Sequence, residues 1–247
     1  MAITAKFDLE NRQLDAINAF TNSYLDEDIH IKFPDGYERH GWILKLIKAL
    51  YGLRRSPLLW QQDLTGTFKQ LGLTLCTEDP CICRNNWITV FFFVDDIVLL
   101  YRKKDQLAAD QMINSLKSRY QMKGLEHLQW FLGIRLLRDR PNRKLWLCQD
   151  SYAEAIAIRF KLDQTDHFKG SPFLTGRFQP NPQTATRDQV RLYQQKIGPT
   201  NYTAVMTRPD ICHPAAKLAE FLINPSDHHQ EAADRLIRYL YATRINE

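Results

Sequence analysis

The stretch NNWITVFFFVDDIVLLYRKKD, residues 85–105, constrains the fold most, because two adjacent carboxylates interrupt an apolar run. Burying a carboxylate without a partner costs several kcal/mol, and neighbouring like charges repel. Asp95 and Asp96 therefore lie either exposed at a turn or beside a bound cation. The flanking runs ITVFFFV and IVLLYR have the composition of strands, so the sequence predicts a β-hairpin with both aspartates at its two-residue tip. That geometry suits a metal site.

Length and composition indicate a folded protein of one large or two smaller domains, with 247 residues, 44% of them hydrophobic and 25% charged. The longest apolar run, Trp87 to Leu100, is too short to span a bilayer core of about 30 Å. We expect no membrane contact. The start of the chain lacks the features of a signal peptide, and five cysteines without a pairing pattern indicate reduced thiols in an intracellular protein.

The formal net charge of +5 is compatible with an anionic partner such as nucleic acid. Basic residues cluster around the apolar run, in YRKKD, KSRYQMKG and RLLRDRPNRK. A solvated basic face without a partner explains the same pattern equally well.

Periodicity and turn signals predict alternating strands and helices in the first 150 residues. Ser56 is the expected N-cap of a helix that has Pro57 at its first position and ends at Gly72. The apolar residues Leu107, Ile113, Leu116 and Tyr120 mark a second helix. The other predicted elements are a strand within 12–20 that enters a helix or turn, a strand within 28–37, and a second hairpin that turns at Pro141 and Asn142.

The remaining residues predict a helical region behind a long loop. Ser151 and Glu154 form a potential capping box that opens one helix. Residues 163–190 are rich in turn-forming residues and predict a loop or linker. Two further helices are expected at about 214–223 and 227–243, and Asp227 with Gln230 as a second capping box would leave His228 and His229 exposed in a first turn. The fold class is α+β.

Several motifs occur in an order and at a spacing that resemble one family. They are LDAINAF around Asp15, KALYGLRRSPLLWQ, FVDD around Asp95, FLGIRL, TRPDI from residue 207 and RYLYAT from residue 238. Together they resemble the reverse transcriptase of copia-type LTR retrotransposons. The resemblance implies a right-hand polymerase palm in residues 1–149, with a partial fingers hairpin at about 25–52. It implies a thumb-like or connection region in residues 150–247.

The resemblance also implies a two-metal site for RNA-directed DNA synthesis. Asp15 and Asp95 would hold two Mg²⁺ ions, for which Mn²⁺ is an alternative, and Ala16 would add its backbone carbonyl. Asp96 would complete the acidic triad in a less direct role. Two cations stabilise both the attacking primer hydroxyl and the leaving pyrophosphate of such a phosphoryl transfer, which explains the paired carboxylates.

Further residues take their roles only from the resemblance. Phe20 matches the aromatic residue under the sugar of the incoming nucleotide, although a core phenylalanine at a strand end is the alternative. Tyr51 and Gly52 match the segment that packs on the incoming base and template. The segment Phe131, Leu132, Gly133 and Ile134 resembles the primer grip. The expected contacts to the nucleic-acid backbone are Arg135, Arg138, Arg143 and Lys144.

The expected partners are an RNA template, a DNA or RNA primer, dNTP, and other parts of a retrotransposon polyprotein such as ribonuclease H and integrase. The expected location is the cytoplasm, in a virus-like particle, or the nucleus. Phe93 replaces the usual tyrosine, and Pro199 with Thr200 would disturb the start of a C-terminal helix. Only 14 residues precede Asp15, so we expect a fingers segment to be truncated.

Three functions remain open at this point. The first is a reverse transcriptase core that is active in its full protein. The second is a decayed, catalytically inactive remnant that at most binds nucleic acid. The third is a different metal-dependent phosphotransferase or nuclease, which would use the same carboxylates without needing Phe20, Tyr51 or the primer grip.

Overall fold

The computed structural model describes residues 1–125, 127–164, 170–172 and 178–244. Helices and antiparallel sheets both contribute to the fold, as the α+β prediction requires. The chain divides into two compact units. The first contains Met1–Gln129 and Arg138–Leu145, and the second contains Trp130–Leu137 and Trp146–Glu247. The assignment of palm and thumb-like regions to residues 1–149 and 150–247 stays a prediction.

The first unit is built on a six-stranded antiparallel sheet with the strand order β4-β5-β6-β7-β1-β8. A separate two-stranded sheet, β2-β3, lies within the segment 25–52. The strands are β1 (Glu10–Ala16), β2 (His30–Ile31), β3 (Leu44–Lys45), β4 (Thr74–Leu75), β5 (Ile82–Arg84), β6 (Ile88–Phe93), β7 (Asp96–Tyr101) and β8 (Met122–Leu125). The helices of this unit are α1 (Ala2–Lys6), α2 (Ser56–Gln70) and α3 (Gln106–Arg119).

The core of the first unit lies between one face of the large sheet and the helices α2 and α3. Alternate residues of the central strands, such as Leu14 and Ile97, are buried with Trp60 and Leu116 from the helices. Every residue of β7 from Ile97 to Tyr101 is buried, so this strand is covered on both faces. A long apolar strand of this kind is what the run around Asp95 predicts.

The predicted hairpin exists, but its turn lies one residue earlier than expected. Phe93 pairs with Asp96 across β6 and β7, so the two-residue turn is Val94 and Asp95, and Asp96 is the first residue of β7. Val94 has a φ of +54°. A β-branched residue at positive φ is unusual, and turn chemistry therefore did not indicate it.

Several other details of the first unit differ from the sequence prediction. Ser56 is not the N-cap but the first residue of α2, and its buried hydroxyl donates to the carbonyl of Leu50 at 2.7 Å. Pro57 is consequently the second helical residue. Leu107 is exposed rather than part of the buried face of α3. The predicted strand within 28–37 has only two residues, His30–Ile31.

A second hairpin region follows the large sheet. It consists of β9 (Trp130–Phe131), β10 (Ile134–Asp139) and β11 (Lys144–Cys148), in the order β11-β10-β9. Pro141 and Asn142 lie between β10 and β11, as predicted. The sequence analysis did not separate β9 from β10, which are joined by the two residues Leu132 and Gly133.

Apart from its share of the sheet formed by β9, β10 and β11, the described part of the second unit consists of helices joined by loops. Its helices are α4 (Asp150–Arg159), α5 (Arg187–Met206), α6 (Cys212–Ala219) and α7 (Asp227–Ala242). Tyr193 and Ile197 of α5 are buried with Leu218 of α6 and with Leu236 and Leu240 of α7. This cluster provides a separate hydrophobic core for the second unit.

The 20-residue helix α5 was not predicted. The predicted loop 163–190 extends into it, although residues 165–169 and 173–177 of that loop lie outside the described residues. Pro199 lies inside α5 rather than at the start of a helix. The true signal is a capping box, in which Thr186 accepts from the backbone of Gln189 and the Gln189 side chain accepts from the backbone of Thr186.

The other two predicted capping boxes are wrong. Helix α4 begins at Asp150, so Ser151 and Glu154 both lie within it. The box of α7 is formed by Ser226 and His229 instead of Asp227 and Gln230. His229 is therefore buried, with its ring stacked on Phe221 at 3.9 Å between centroids, whereas His228 is exposed as expected.

None of the five cysteines, all of which the structure describes, forms a disulfide bond. Within the described ranges, none of the helices combines the length and the hydrophobicity that crossing a bilayer would require.

Candidate active site

Strand β1 presents different chemistry on its two faces. Leu14 and Ala16 point into the core, while Asn11, Gln13 and Asp15 alternate with them on the opposite face. Asp15 pairs directly with Asp96 of β7. Directly paired residues of antiparallel strands carry their side chains on the same face. The sheet therefore brings together two carboxylates that are 81 residues apart in sequence.

Asp95 lies at the same end of the sheet, in the turn between β6 and β7. The N–H of Ala16 donates to the carbonyl of Asp95 at 2.9 Å, which ties the turn to the end of β1. All three aspartates are half-buried. The structure thus places Asp15, Ala16, Asp95 and Asp96 in one neighbourhood.

Burial and neighbouring negative charges both act on the carboxylate of Asp96. Burial raises the pKa of Asp96 above its ordinary value, and the charges of Asp95 and Asp15 raise it further. A hydrogen bond from Gln13 acts in the opposite direction and lowers the pKa. A bound cation would offset both the cost of burying the ionised carboxylate and the repulsion from its neighbours.

Trp60 of α2 supports the turn that carries Asp95. Its indole Nε1–H donates to the carbonyl of Val94 at 2.6 Å, and its side chain is only 1% exposed. Its ring meets Tyr120 edge-on at 5.2 Å between centroids. No local pattern gives Trp60 a role beyond the apolar face of α2, so the sequence did not predict this link between α2 and the acidic turn.

Two further residues beside the carboxylates were also missed. The amide Nε2 of Gln13 donates to Oδ1 of Asp96 at 2.9 Å, although the two residues are 83 positions apart. On the other side of β1, Lys123 of β8 pairs with Asp15 and therefore carries its side chain on the same face. The available signal for Gln13 was its position two residues before Asp15, because residues i and i+2 of a strand share a face.

The residues predicted to seat the nucleotide lie together. The rings of Phe20 and Tyr51 are 4.4 Å apart between centroids. Tyr51 is half-exposed, whereas Phe20 is buried and belongs to the core. Phe20 therefore fits both the role under the nucleotide sugar and the role of a core phenylalanine. Gly52 has a φ of +95°, a conformation that favours glycine. Leu50 directly precedes Tyr51. The hydroxyl of Ser56 accepts from the N–H of Leu50 and donates to the carbonyl of Leu50.

The FLGI segment forms a tight hairpin in the second unit. Phe131 pairs with Ile134, and the two turn residues Leu132 and Gly133 both have positive φ, +51° and +75°. Positive φ at both positions is the pattern of a type I′ turn. The hydroxyl of Tyr202 in α5 contacts the carbonyl of Leu132 at 3.4 Å. The hairpin geometry agrees with the resemblance, and its role as a primer grip stays a prediction.

The arginines predicted to contact nucleic acid have acceptors within the protein. Arg135 pairs with Asp150 at 2.5 Å, and Arg138 pairs with Asp8 at 2.8 Å. Arg143 donates to the carbonyl of Lys6 at 2.9 Å. Phosphate would have to compete with these contacts. Arg138 and the neighbouring Arg140, which holds Asp8 and Glu10, have a clear structural role in fixing this segment to the start of the chain. Lys144 lies in β11.

The carboxylates fit magnesium by their donor chemistry. Carboxylate and carbonyl oxygens are the ligands that Mg²⁺ prefers. In the described part of the chain, no group of three or more His, Cys, Asp or Glu side chains is already arranged to hold a metal ion. Mg²⁺ is commonly bound by one or two carboxylates together with water and substrate phosphates, so the oxygen donors of Asp15 and Asp95 are of the kind that it takes.

Known proteins are similar to this chain over most of its length. The family described as "Reverse transcriptase (RNA-dependent DNA polymerase)" matches residues 1–172. The chain is 31% identical over 256 residues to the retrovirus-related Pol polyprotein from transposon TNT 1-94 of Nicotiana tabacum, covering 98% of this chain and 19% of that protein. It is 31% identical over 242 residues to the putative transposon Ty5-1 protein of Saccharomyces cerevisiae, covering 94% and 76%.

A third relative is the retrovirus-related Pol polyprotein from transposon RE1 of Arabidopsis thaliana, 29% identical over 244 residues, with 94% of this chain and 16% of that protein covered. The chain thus spans less than a fifth of the two plant polyproteins but about three quarters of the yeast protein. The family match covers well over half of the chain and includes every carboxylate of the candidate site. The chain belongs to the reverse transcriptase family of copia-type retrotransposons.

Proposed function

We propose that this chain carries the catalytic palm of an RNA-directed DNA polymerase, and that Asp15, Asp95 and Asp96 are its catalytic carboxylates. The observation that carries the proposal is the pairing of Asp15 with Asp96, with Asp95 in the adjoining turn. A nucleotidyl transfer needs clustered carboxylates at one sheet end, and the register supports such a cluster.

Asp15, Asp95 and the carbonyl of Ala16 would hold two Mg²⁺ ions, or Mn²⁺ in their place. When bound, such ions supply positive charge beside the attacking primer hydroxyl and the leaving pyrophosphate. Asp96 would complete the acidic triad in a less direct role, through the oxygen other than the one that accepts from Gln13. Trp60 and the Ala16 N–H keep the Asp95 turn in place before substrate arrives, which reduces the reorganisation that binding requires.

The contact between Phe20 and Tyr51 would form the floor of the nucleotide pocket. A buried aromatic ring at Phe20 cannot move aside easily, so it would exclude the extra hydroxyl of a ribonucleotide sugar. Gly52 leaves the backbone beside Tyr51 open, since no atom lies within 4 Å of the position a Cβ would occupy. The two-stranded sheet of β2 and β3 would belong to the fingers.

The second unit would act as the thumb-like region, with the Phe131–Ile134 hairpin as its primer grip. The substrates would be an RNA template, a DNA or RNA primer and dNTP. We further propose that the chain works as part of a polyprotein that includes ribonuclease H and integrase, as the size of its plant relatives favours. Its expected site of action is a cytoplasmic virus-like particle or the nucleus.

A primer-extension assay on an RNA template tests this proposal. We expect the chain alone to bind template and primer but to extend the primer very slowly or not at all. Joined to a fingers segment, it should show Mg²⁺-dependent extension that Asp15→Asn and Asp95→Asn abolish. Asp110→Asn is the matched control, because this α3 carboxylate pairs with Arg12 and Gln106 and belongs to no part of the proposed site. Extension that survives Asp95→Asn would contradict the catalytic assignment, and binding without extension in the joined protein would favour the inactive remnant.

A further inference from the structure

Gln13 is a polar residue in an unusual environment. It lies in the middle of β1 between two hydrogen-bonded strands, and it is only 5% exposed. Burying an amide is unfavourable unless its polar atoms find partners. Its Nε2 donates to Oδ1 of Asp96 at 2.9 Å. An apolar residue would fill this position at lower cost, so the hydrogen bond to Asp96 is what this glutamine contributes here.

The sheet register explains why glutamine reaches this carboxylate. Gln13 pairs with Val98, and Asp96 is the diagonal neighbour two residues before Val98 in β7. Diagonal neighbours have Cα atoms roughly 7–8 Å apart, a distance that only long side chains bridge. Asparagine is one methylene shorter and would not reach. A glutamate would reach, but it would add a fourth negative charge to the site.

We propose that Gln13 is a positioning residue for the acidic site, which orients the Asp96 carboxylate and keeps it ready to receive a cation. This inference rests on the proposed function, because it assumes that the Asp15, Asp95 and Asp96 cluster binds a divalent metal. Gln13 itself does not contact metal or substrate. Its amide holds one oxygen of Asp96 and thereby restricts the rotation of the carboxylate. Residues that hold metal ligands by hydrogen bonds act in this way.

The test is a Mn²⁺ titration of the full chain without substrates, followed by electron paramagnetic resonance of free Mn²⁺. Gln13→Met keeps the length of the side chain and removes the amide. We expect it to weaken Mn²⁺ binding by about 10- to 100-fold, the range typical for loss of a residue that holds a metal ligand. Gln106→Met is the matched control, because Gln106 also donates to a carboxylate, Asp110, outside the site. It should bind Mn²⁺ like the wild type.

A double-mutant cycle separates positioning from a general effect on the sheet. In an Asp96→Ala background, Gln13→Met should weaken Mn²⁺ binding no further, because its target is gone. A further loss in that background would assign Gln13 a merely structural role and overturn the inference. Equal affinity of Gln13→Met and the wild type would overturn it as well. Failure of the proposed function gives a different result, since the wild-type chain would then show no Mn²⁺ binding that depends on Asp15.

Discussion

Trp60→Phe should destabilise the first unit and loosen the acidic turn. The indole N–H, on a side chain that is only 1% exposed, donates to the carbonyl of the half-buried Val94 at 2.6 Å, and phenylalanine cannot replace this bond. Loss of such a hydrogen bond costs about 0.5–1.5 kcal/mol. The smaller ring adds about 1 kcal/mol for the space it leaves, at about 24 cal/mol per Å³. We expect a total loss of about 1.5–2.5 kcal/mol in the free energy of unfolding.

Urea unfolding followed by circular dichroism measures this loss. Trp42→Phe is the matched control, because Trp42 is 73% exposed and its replacement should leave the unfolding midpoint unchanged. Hydrogen exchange then reports the local effect. The amide of Ala16 donates to the carbonyl of Asp95, so it should exchange faster in Trp60→Phe than in the wild type.

The reasoning would be refuted by a Trp60→Phe variant that unfolds at the wild-type midpoint. It would also be refuted if stability fell while exchange at Ala16 stayed the same, because the turn would then not depend on Trp60.

Three other predictions concern stability. Leu132→Asn should raise the free energy of unfolding by up to about 1 kcal/mol, because Leu132 has a φ of +51° in a turn that favours Asn-Gly; a lower free energy of unfolding would contradict the turn assignment. Burial, and then the charge of His228, lowers the pKa of His229, so the unfolded chain takes up its proton first as pH falls below about 6.5. Stability, measured by thermal unfolding, should therefore decrease from pH 7.5 to 5.5. His229→Gln preserves the capping box and should make that decrease less steep. An equally steep decrease in the variant would show that other groups cause the loss of stability. Because burial and repulsion raise the pKa of Asp96, its ionised form is disfavoured in the folded state, and Asp96→Asn should stabilise the metal-free chain at pH 7; a loss of stability would show that the site is not strained by charge.

The sequence predicted the central elements because their signals are local. The long apolar strand β7 and the amphipathic helix α2 follow from composition and periodicity over their own residues. Turn details were less predictable. Val94 at positive φ contradicts ordinary turn preferences, and only the pairing of Phe93 with Asp96 reveals that the turn begins there.

The missed features depend on contacts between distant residues or on competing signals. Pro199 argues against a helix, yet α5 continues through it because Tyr193, Ile197 and Ala204 on both sides pack in the core. The bond from Gln13 to Asp96 joins residues 83 positions apart, so no local pattern contains it. The resemblance to a family indicated the acidic residues and the residues expected to seat the nucleotide. It indicated none of the contacts that hold these residues in place.

Metal-directed cleavage tests the central claim most directly, because it locates the ion without requiring catalysis. Fe²⁺ replaces Mg²⁺ in the full chain, ascorbate and peroxide generate hydroxyl radicals at the bound ion, and mass spectrometry maps the cuts. We predict cuts near Asp15 and near Asp95, suppressed by excess Mg²⁺ and lost when Asp15→Asn and Asp95→Asn are combined. The control Asp110→Asn should retain them. Cuts confined to other parts of the chain, or cuts that persist in the double variant, would contradict a metal site at these carboxylates.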